Sequence, residues 1–340
     1  MSTTSDHLSC RTIAKAAVLG AGAWGTALAI ALSRSGLDVS LWSRRAEHAR
    51  AMRAEGQNRE RLSGCAFPPG LTPTGSMAEA LAAADVILLA APSKAVVSLS
   101  EAARAHARAD TPALICAKGL GEQGALLSDE VRRVWDGPVP APSGLCFADE
   151  VANDLPTIVT LAGPMPMAAR MADQLSGPRF VLCPSGDLTG VQVAGVFKNV
   201  AATLCGVSDG IGLGVNARAA LMSEAMREAA CVIRALGGSV ETLLGPAGFG
   251  DFALTCTDAK SRNYSFGRAL GQGAVGGVGV TREGAANVAA LLRLARRLGT
   301  DAQLACALAD LLAGKLDARA AIEAAFAWRR EQALEAVRAA

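Results

Sequence analysis

The chain has 340 residues, enough for two domains of ordinary size. Hydrophobic residues make up 51% and charged residues 19%, which excludes an intrinsically disordered chain. A net charge of +2 and 4% aromatics exclude the basic footprint and the stacking platform of a nucleic-acid binder.

Residues 1–15 are polar, without an apolar signal core, and read as a solvated tail of a cytoplasmic protein. Ala16–Leu19 predicts a strand, Ala23–Ser35 a helix closed by Gly36, and Asp38–Trp42 a second strand. Asp85–Ala91, Ala113–Ala117 and Thr157–Leu161 are further strand candidates. Strands alternating with helices predict a parallel sheet covered on both faces, over residues 16–190. Beyond about Ser185 the pattern changes. The Ala- and Leu-rich stretches 191–207, 216–236, 285–298, 301–314 and 318–337 predict helices, so residues 191–340 form an all-helical domain. Gly271–Gly279 reads as a flexible loop. No apolar run approaches the roughly 18 residues of a membrane span. The nine cysteines are scattered without Cys-x-x-Cys spacing, which predicts reduced thiols and no metal site.

Gly20-Ala21-Gly22-Ala23-Trp24-Gly25 follows the first strand and opens the first helix. In that context the GxGxxG spacing predicts a dinucleotide site. Gly20 makes the turn, Gly22 admits the pyrophosphate and Gly25 packs helix on strand, with the helix N-terminus facing the phosphates. The second strand ends in Trp42-Ser43-Arg44-Arg45, without the acidic residue usual in NAD sites. Two guanidinium groups suit a 2′-phosphate, so NADP(H) is the expected cofactor, with NAD(H) a second.

Only six lysines stand against 27 arginines, and the second half of the chain has no histidine. Lys198 sits in the middle of the nearly all-apolar stretch Val191–Val207. A buried ammonium is costly unless paired or used, and lysine suits proton transfer; a stem snorkelling to solvent is the alternative. Gly245–Asp251 reads as a rigid turn aiming a carboxylate, and Ser261-Arg262-Asn263 as a set of donors fit for a phosphate.

With these stretches the chain resembles the bacterial NAD(P)-dependent glycerol-3-phosphate dehydrogenases over about residues 16–330. The matching segments include GAGAWGTALA (20–29), CAKGL (116–120), FKNVAA (197–202), GPAGFGDFALTCT (245–257), SRN (261–263) and REGAANV (282–288). The resemblance implies a Rossmann domain followed by a helical substrate domain. It implies reduction of dihydroxyacetone phosphate to sn-glycerol 3-phosphate, a phospholipid precursor. It makes Lys198 the proton donor, and Lys118, Gly144, Cys146, Lys198, Asp251, Ser261, Arg262 and Asn263 substrate-binding residues. Ala23, Trp24, Arg44, Ala148, Thr281 and Glu283 fall on cofactor-contact positions, joined by Arg45, Lys118 and Arg262.

Two segments depart from the family pattern. Gly144-Leu145-Cys146-Phe147-Ala148 lacks the usual Pro and hydroxyl residue, which frees the turn and weakens a hydrogen bond. In Asn58–Ser63, Arg61 replaces an aromatic residue; it reads either as a further cation near the cofactor or as a surface charge. The alternatives are another two-domain NADPH-dependent hydroxyacid or keto-acid reductase, and a non-catalytic NADPH-binding sensor. Short-chain reductases need Tyr-x-x-x-Lys, whereas Tyr264 is followed at that spacing by Arg268. The expected partner is a phosphorylated small molecule, without nucleic acid or an integral membrane segment, and a homodimer is left open.

Overall fold

The computed structural model describes residues 12–274 and 283–327. Thr281, the end of the glycine-rich stretch and the end of the last expected helix lie outside them. The chain divides into two compact units. One comprises the residues up to Lys118 together with Leu126–Val191. The other comprises Gly119–Ala125 and the residues from Gln192 onward. Residues 119–125, inside the 16–190 span, therefore pack with the helical unit.

The first unit runs β1 (Lys15–Leu19), α1 (Ala23–Arg34), β2 (Asp38–Trp42), α2 (Ala46–Glu55), β3 (Gln57–Asn58), β4 (Leu62–Ala66), β5 (Leu71–Thr74), α3 (Met77–Leu81), β6 (Val86–Leu89), α4 (Ser93–Arg104) and β7 (Ala113–Ile115). It continues through α5 (Leu127–Val131), β8 (Ala141–Gly144), α6 (Ala148–Ala152), β9 (Thr157–Ala162), α7 (Met165–Leu175) and β10 (Phe180–Ser185). Strands β5-β2-β1-β6-β7 form a parallel sheet. A second sheet, β10-β9-β8, contains the antiparallel pair β8–β9. The N–H groups of Ala113 and Ile115 donate to the carbonyls of Pro138 and Pro140, joining β7 to the run into β8.

The alternation of side chains explains why the central strands are apolar throughout. Ala16 and Val18 of β1 pack on one face with Leu28 and Leu32 of α1. Ala17 and Leu19 pack on the other with Ile87, Leu89 and Val96. Burying each such branched side chain stabilises the fold by about 1.5–3 kcal/mol. The first two expected strands and the helix between them differ from the structure by a residue at most, and the expected strand Asp85–Ala91 is shorter, Val86–Leu89. Asp85 lies outside β6 because its carboxylate accepts the N–H groups of Ala14 and Lys15 and so anchors the start of β1. Strands β5 and β8 have no apolar run to reveal them; each contains a proline and gains its place from its neighbour.

The second unit is helical: α8 (Leu188–Gly210), α9 (Gly214–Ala235), α10 (Asp251–Thr257), α11 (Arg262–Gly271), α12 (Glu283–Leu298) and α13 (Gln303–Leu312), with residues 318–327 also helical. Helix α8 is long and apolar enough to cross a membrane by composition, yet its whole apolar window is buried in the fold, as befits a core helix. Helices α8 and α11 approach through glycines. A Cβ on Gly206 would stand 2.0 Å from the Tyr264 carbonyl oxygen, and one on Gly267 would stand 1.8 Å from that of Thr203.

Candidate active site

In the first unit the glycine turn has three different steric surroundings. Gly20 takes φ +126°, and a Cβ there would meet the Ala90 carbonyl oxygen at 2.4 Å. A Cβ on Gly25 would lie 1.9 Å from the Gly20 oxygen, so α1 closes directly on the turn. A Cβ added to Gly22 would meet no atom within 4 Å beyond its own helix and chain neighbours. That open face, beside the free N–H groups of the first turn of α1, is the space a pyrophosphate requires, and the residues present fit a dinucleotide. Ala23 and Trp24, half-buried in the same turn, pack against the core beneath.

A buried polar chain connects this turn to the end of β2. His48 Nδ1 is 3.1 Å from Ser43 Oγ, and its Nε2 is 3.0 Å from Asn58 Oδ1. Asn58 Nδ2 donates to the Ala21 carbonyl at 3.0 Å and to Thr26 Oγ1 at 2.7 Å. His48 and Asn58 were not among the expected site residues. A satisfied internal network of this kind fixes the separation of turn and strand end. Beyond Ser43, Arg44 and Arg45 are exposed. Arg45 donates to Glu60 from the β3–β4 connection, and Arg61 Nη2 lies 2.9 Å from the same carboxylate. Hydrogen bonding between them raises the Arg45 guanidinium above its ordinary pKa and lowers the Glu60 carboxyl.

Lys118 Nζ donates to the Gly144 carbonyl at 3.3 Å, which brings two expected substrate residues together. Gly144 is there because a Cβ would meet the Ile158 oxygen and Val159 Cα at 2.8 Å. The missing proline after Gly144 does not leave the turn free. Thr157 donates its hydroxyl to the Leu145 carbonyl, and Cys146 Sγ lies 4.0 Å from the Thr157 Oγ1 itself. Ala148 begins α6 and packs against the core.

In the second unit, Lys198 lies in the middle of α8 and is only 8% exposed, so its stem does not snorkel to solvent. Its Nζ is 3.3 Å from Asp251 Oδ1 and 3.0 Å from Thr255 Oγ1. Thr255 in turn donates to Asp251 Oδ1 at 3.0 Å. Pro246–Gly250 forms a π-helical turn kinked by non-helical backbone at Gly248 (φ −100°, ψ −109°), and Asp251 after it is the first residue of α10. Asp251 and Thr255 are thus one helical turn apart and share a face. Thr255 was missed, although its spacing from Asp251 was the available signal. The cluster pairs a buried ammonium with a buried carboxylate and a hydroxyl, an arrangement able to hold a proton in a water-poor setting.

The Ser-Arg-Asn triplet divides its labour. Ser261 is buried and caps α11, its Oγ accepting the Tyr264 N–H at 3.2 Å. Arg262 is exposed in the first turn. Asn263 Nδ2 donates to Asn199 Oδ1 at 2.9 Å, and its Oδ1 accepts the Gly284 N–H at 3.1 Å. It therefore ties α8, α11 and α12 together beside Lys198. Glu283 opens α12.

Comparison with known proteins agrees with this arrangement. Residues 15–169 match the model of the NAD-dependent glycerol-3-phosphate dehydrogenase N-terminus, and residues 187–323 match that of its C-terminus. The chain belongs to this family. A glycerol-3-phosphate dehydrogenase [NAD(P)+] of Halorhodospira halophila is 46% identical over 291 residues, covering 83% of this chain and 87% of that one. The enzyme of the same name from Rhodospirillum rubrum is 40% identical, covering 90% of each. A crystal structure of glycerol-3-phosphate dehydrogenase from Coxiella burnetii superposes with a TM-score of 0.86 at 36% identity, over 92% of this chain and 98% of that one. In this family member, then, a Rossmann-type sheet unit precedes a helical unit, as the alternation of strands and helices predicts.

Proposed function

We propose that the protein reduces dihydroxyacetone phosphate to sn-glycerol 3-phosphate, using NADPH in preference to NADH, and works in the reverse direction when product accumulates. The observation that carries this reading is the buried Lys198–Asp251–Thr255 cluster in a chain of this family. The glycine turn with Arg44 and Arg45 would hold the cofactor, whose reduced nicotinamide supplies a hydride when bound.

The residues of the chain do the rest. As negative charge builds on the substrate's carbonyl oxygen, the Lys198 ammonium stabilises it and then gives up a proton from Nζ. Asp251 and Thr255 orient that ammonium through contacts at 3.3 and 3.0 Å, and burial keeps water from competing for it. Arg262 supplies positive charge for the substrate phosphate, a contribution of about 1.5–3 kcal/mol for a charge-assisted hydrogen bond, and Lys118 is the substrate contact of the first unit. Ser261 and Asn263 shape the surroundings of Arg262, Gly144 and Cys146 those of Lys118, and Ala148, with Thr281 and Glu283 on the family resemblance alone, would contact the cofactor. The sn-glycerol 3-phosphate it makes would feed phospholipid assembly, and the proposed setting is the cytoplasm; sedimentation tests for a homodimer.

The test follows oxidation of NADPH and of NADH by the purified protein with dihydroxyacetone phosphate and with the dephosphorylated ketone. Turnover restricted to the phosphorylated ketone, faster with NADPH, is the expected result. Binding of cofactor without turnover of either ketone would favour the non-catalytic sensor.

A further inference from the structure

Strand β2 ends without the carboxylate that holds the ribose hydroxyls in NAD-binding folds. The structure brings a carboxylate to the same neighbourhood by another route. The β3–β4 connection returns towards the end of β2 and carries Glu60 into contact with the Arg45 side chain. Glu60 Oε1 lies 2.9 Å from Arg61 Nη2, and Oε2 lies 3.8 Å from His48 Nε2. His48 is itself bonded to Ser43, the residue following β2, and through Asn58 to the glycine turn. The Glu60 carboxylate therefore sits at a defined distance from both parts of the expected cofactor site.

We propose that Glu60 is the residue that sets the choice between the two cofactors. This rests on the cofactor reading above. With NAD(H), the Glu60 carboxylate accepts the ribose hydroxyl in place of the acid missing from β2. With NADP(H), the 2′-phosphate competes with Glu60 for the guanidinium groups of Arg45 and Arg61. The carboxylate also repels the phosphate, which carries a charge of about −1.5 to −2 near neutral pH. Residue 60 thus favours the unphosphorylated ribose, while Arg44, Arg45 and Arg61 favour the phosphorylated one. The protein accommodates both because the two effects oppose each other on one exposed ion-pair cluster, where each pair is worth little and is readily exchanged.

The experiment measures dissociation constants of NADPH, NADH, 2′,5′-ADP and 5′-AMP for the wild type, Glu60→Gln and Glu60→Lys, by nucleotide fluorescence and calorimetry without substrate. Glu60→Gln should tighten NADPH and 2′,5′-ADP, weaken NADH, and shift the NADPH:NADH affinity ratio by about 3- to 30-fold, with further displacement in Glu60→Lys. The side chain of Glu60 is 43% exposed, so the melting temperature should hold and a purely structural role would leave the ratio alone. An unchanged ratio, or equal loss for all four ligands, overturns the proposal. If the wild type binds none of the four, the cofactor reading fails first and takes this proposal with it.

Discussion

Lys198 on α8 and Asp251 at the first position of α10 form a buried ion pair, Nζ to Oδ1 3.3 Å. Neither residue is more than 8% exposed. Each makes the other tolerable: a lone buried charge costs several kcal/mol, and removing one partner leaves the other uncompensated. The pair is thus both a liability for stability and a preorganised proton site.

Replacing Lys198 with Met keeps much of the stem's volume while removing the proton. Turnover should fall by about 10²–10⁴-fold, the usual loss for a general acid, while NADPH binding is retained because the glycine turn belongs to the other unit. Because Asp251 is then stranded, the single variant should also lose about 3–5 kcal/mol of stability. Adding Asp251→Asn should restore most of that without restoring turnover. Near-normal turnover in a folded Lys198→Met protein would contradict the proton assignment.

Arg262 and Asn263 are neighbours with different duties, so their alanine variants should separate. Arg262→Ala should raise KM for dihydroxyacetone phosphate by about 10- to 150-fold with little change in melting temperature. Asn263→Ala removes the bonds to Asn199 and Gly284 and should lower stability by about 1–3 kcal/mol as well. Thermal melts beside steady-state kinetics distinguish the two.

The glycine turn offers a second contrast. At Gly25 an added methyl would collide with the Gly20 carbonyl at 1.9 Å, so Gly25→Ala should destabilise the sheet unit by about 1–3 kcal/mol or more. At Gly22 there is open space, so Gly22→Ala should fold normally and lose nucleotide affinity alone. A Gly22→Ala protein with undiminished NADPH affinity would show that the cofactor phosphates bind elsewhere.

Glu228, buried under α13, accepts the Leu304 N–H at 3.1 Å. Burial pushes its carboxyl up to about 7, from an ordinary value near 4.5. The folded state therefore binds this proton more tightly than the unfolded chain does. Its contribution to stability is complete below about pH 4.5, is lost progressively as pH rises to about 7, and stays lost above that. The full span is on the order of 3 kcal/mol. Urea unfolding between pH 4.5 and 8 should show this decline, and Glu228→Gln should flatten it.

The chain alone determined the elements whose patterns are local. The apolar run of β1, the GxGxxG turn and the opening of α1 are contiguous, so period and glycine spacing were enough to locate them. Lys198 was visible for the same reason, as a charge inside an all-round apolar helix. Tertiary structure decided what those groups touch. The partners of Lys198 lie on a different helix, at a place where the sequence reads as a turn; only the packing of α10 against α8 shows Asp251 and Thr255 sharing one ammonium. In sequence Glu60 and His48 look like any solvent-facing polar residues, and acquire meaning because a short hairpin carries one to Arg45 while the other links Ser43 to Asn58. Periodicity reports which face of an element is buried, whereas contacts between residues distant in the chain depend on how whole elements pack, and no local pattern encodes that.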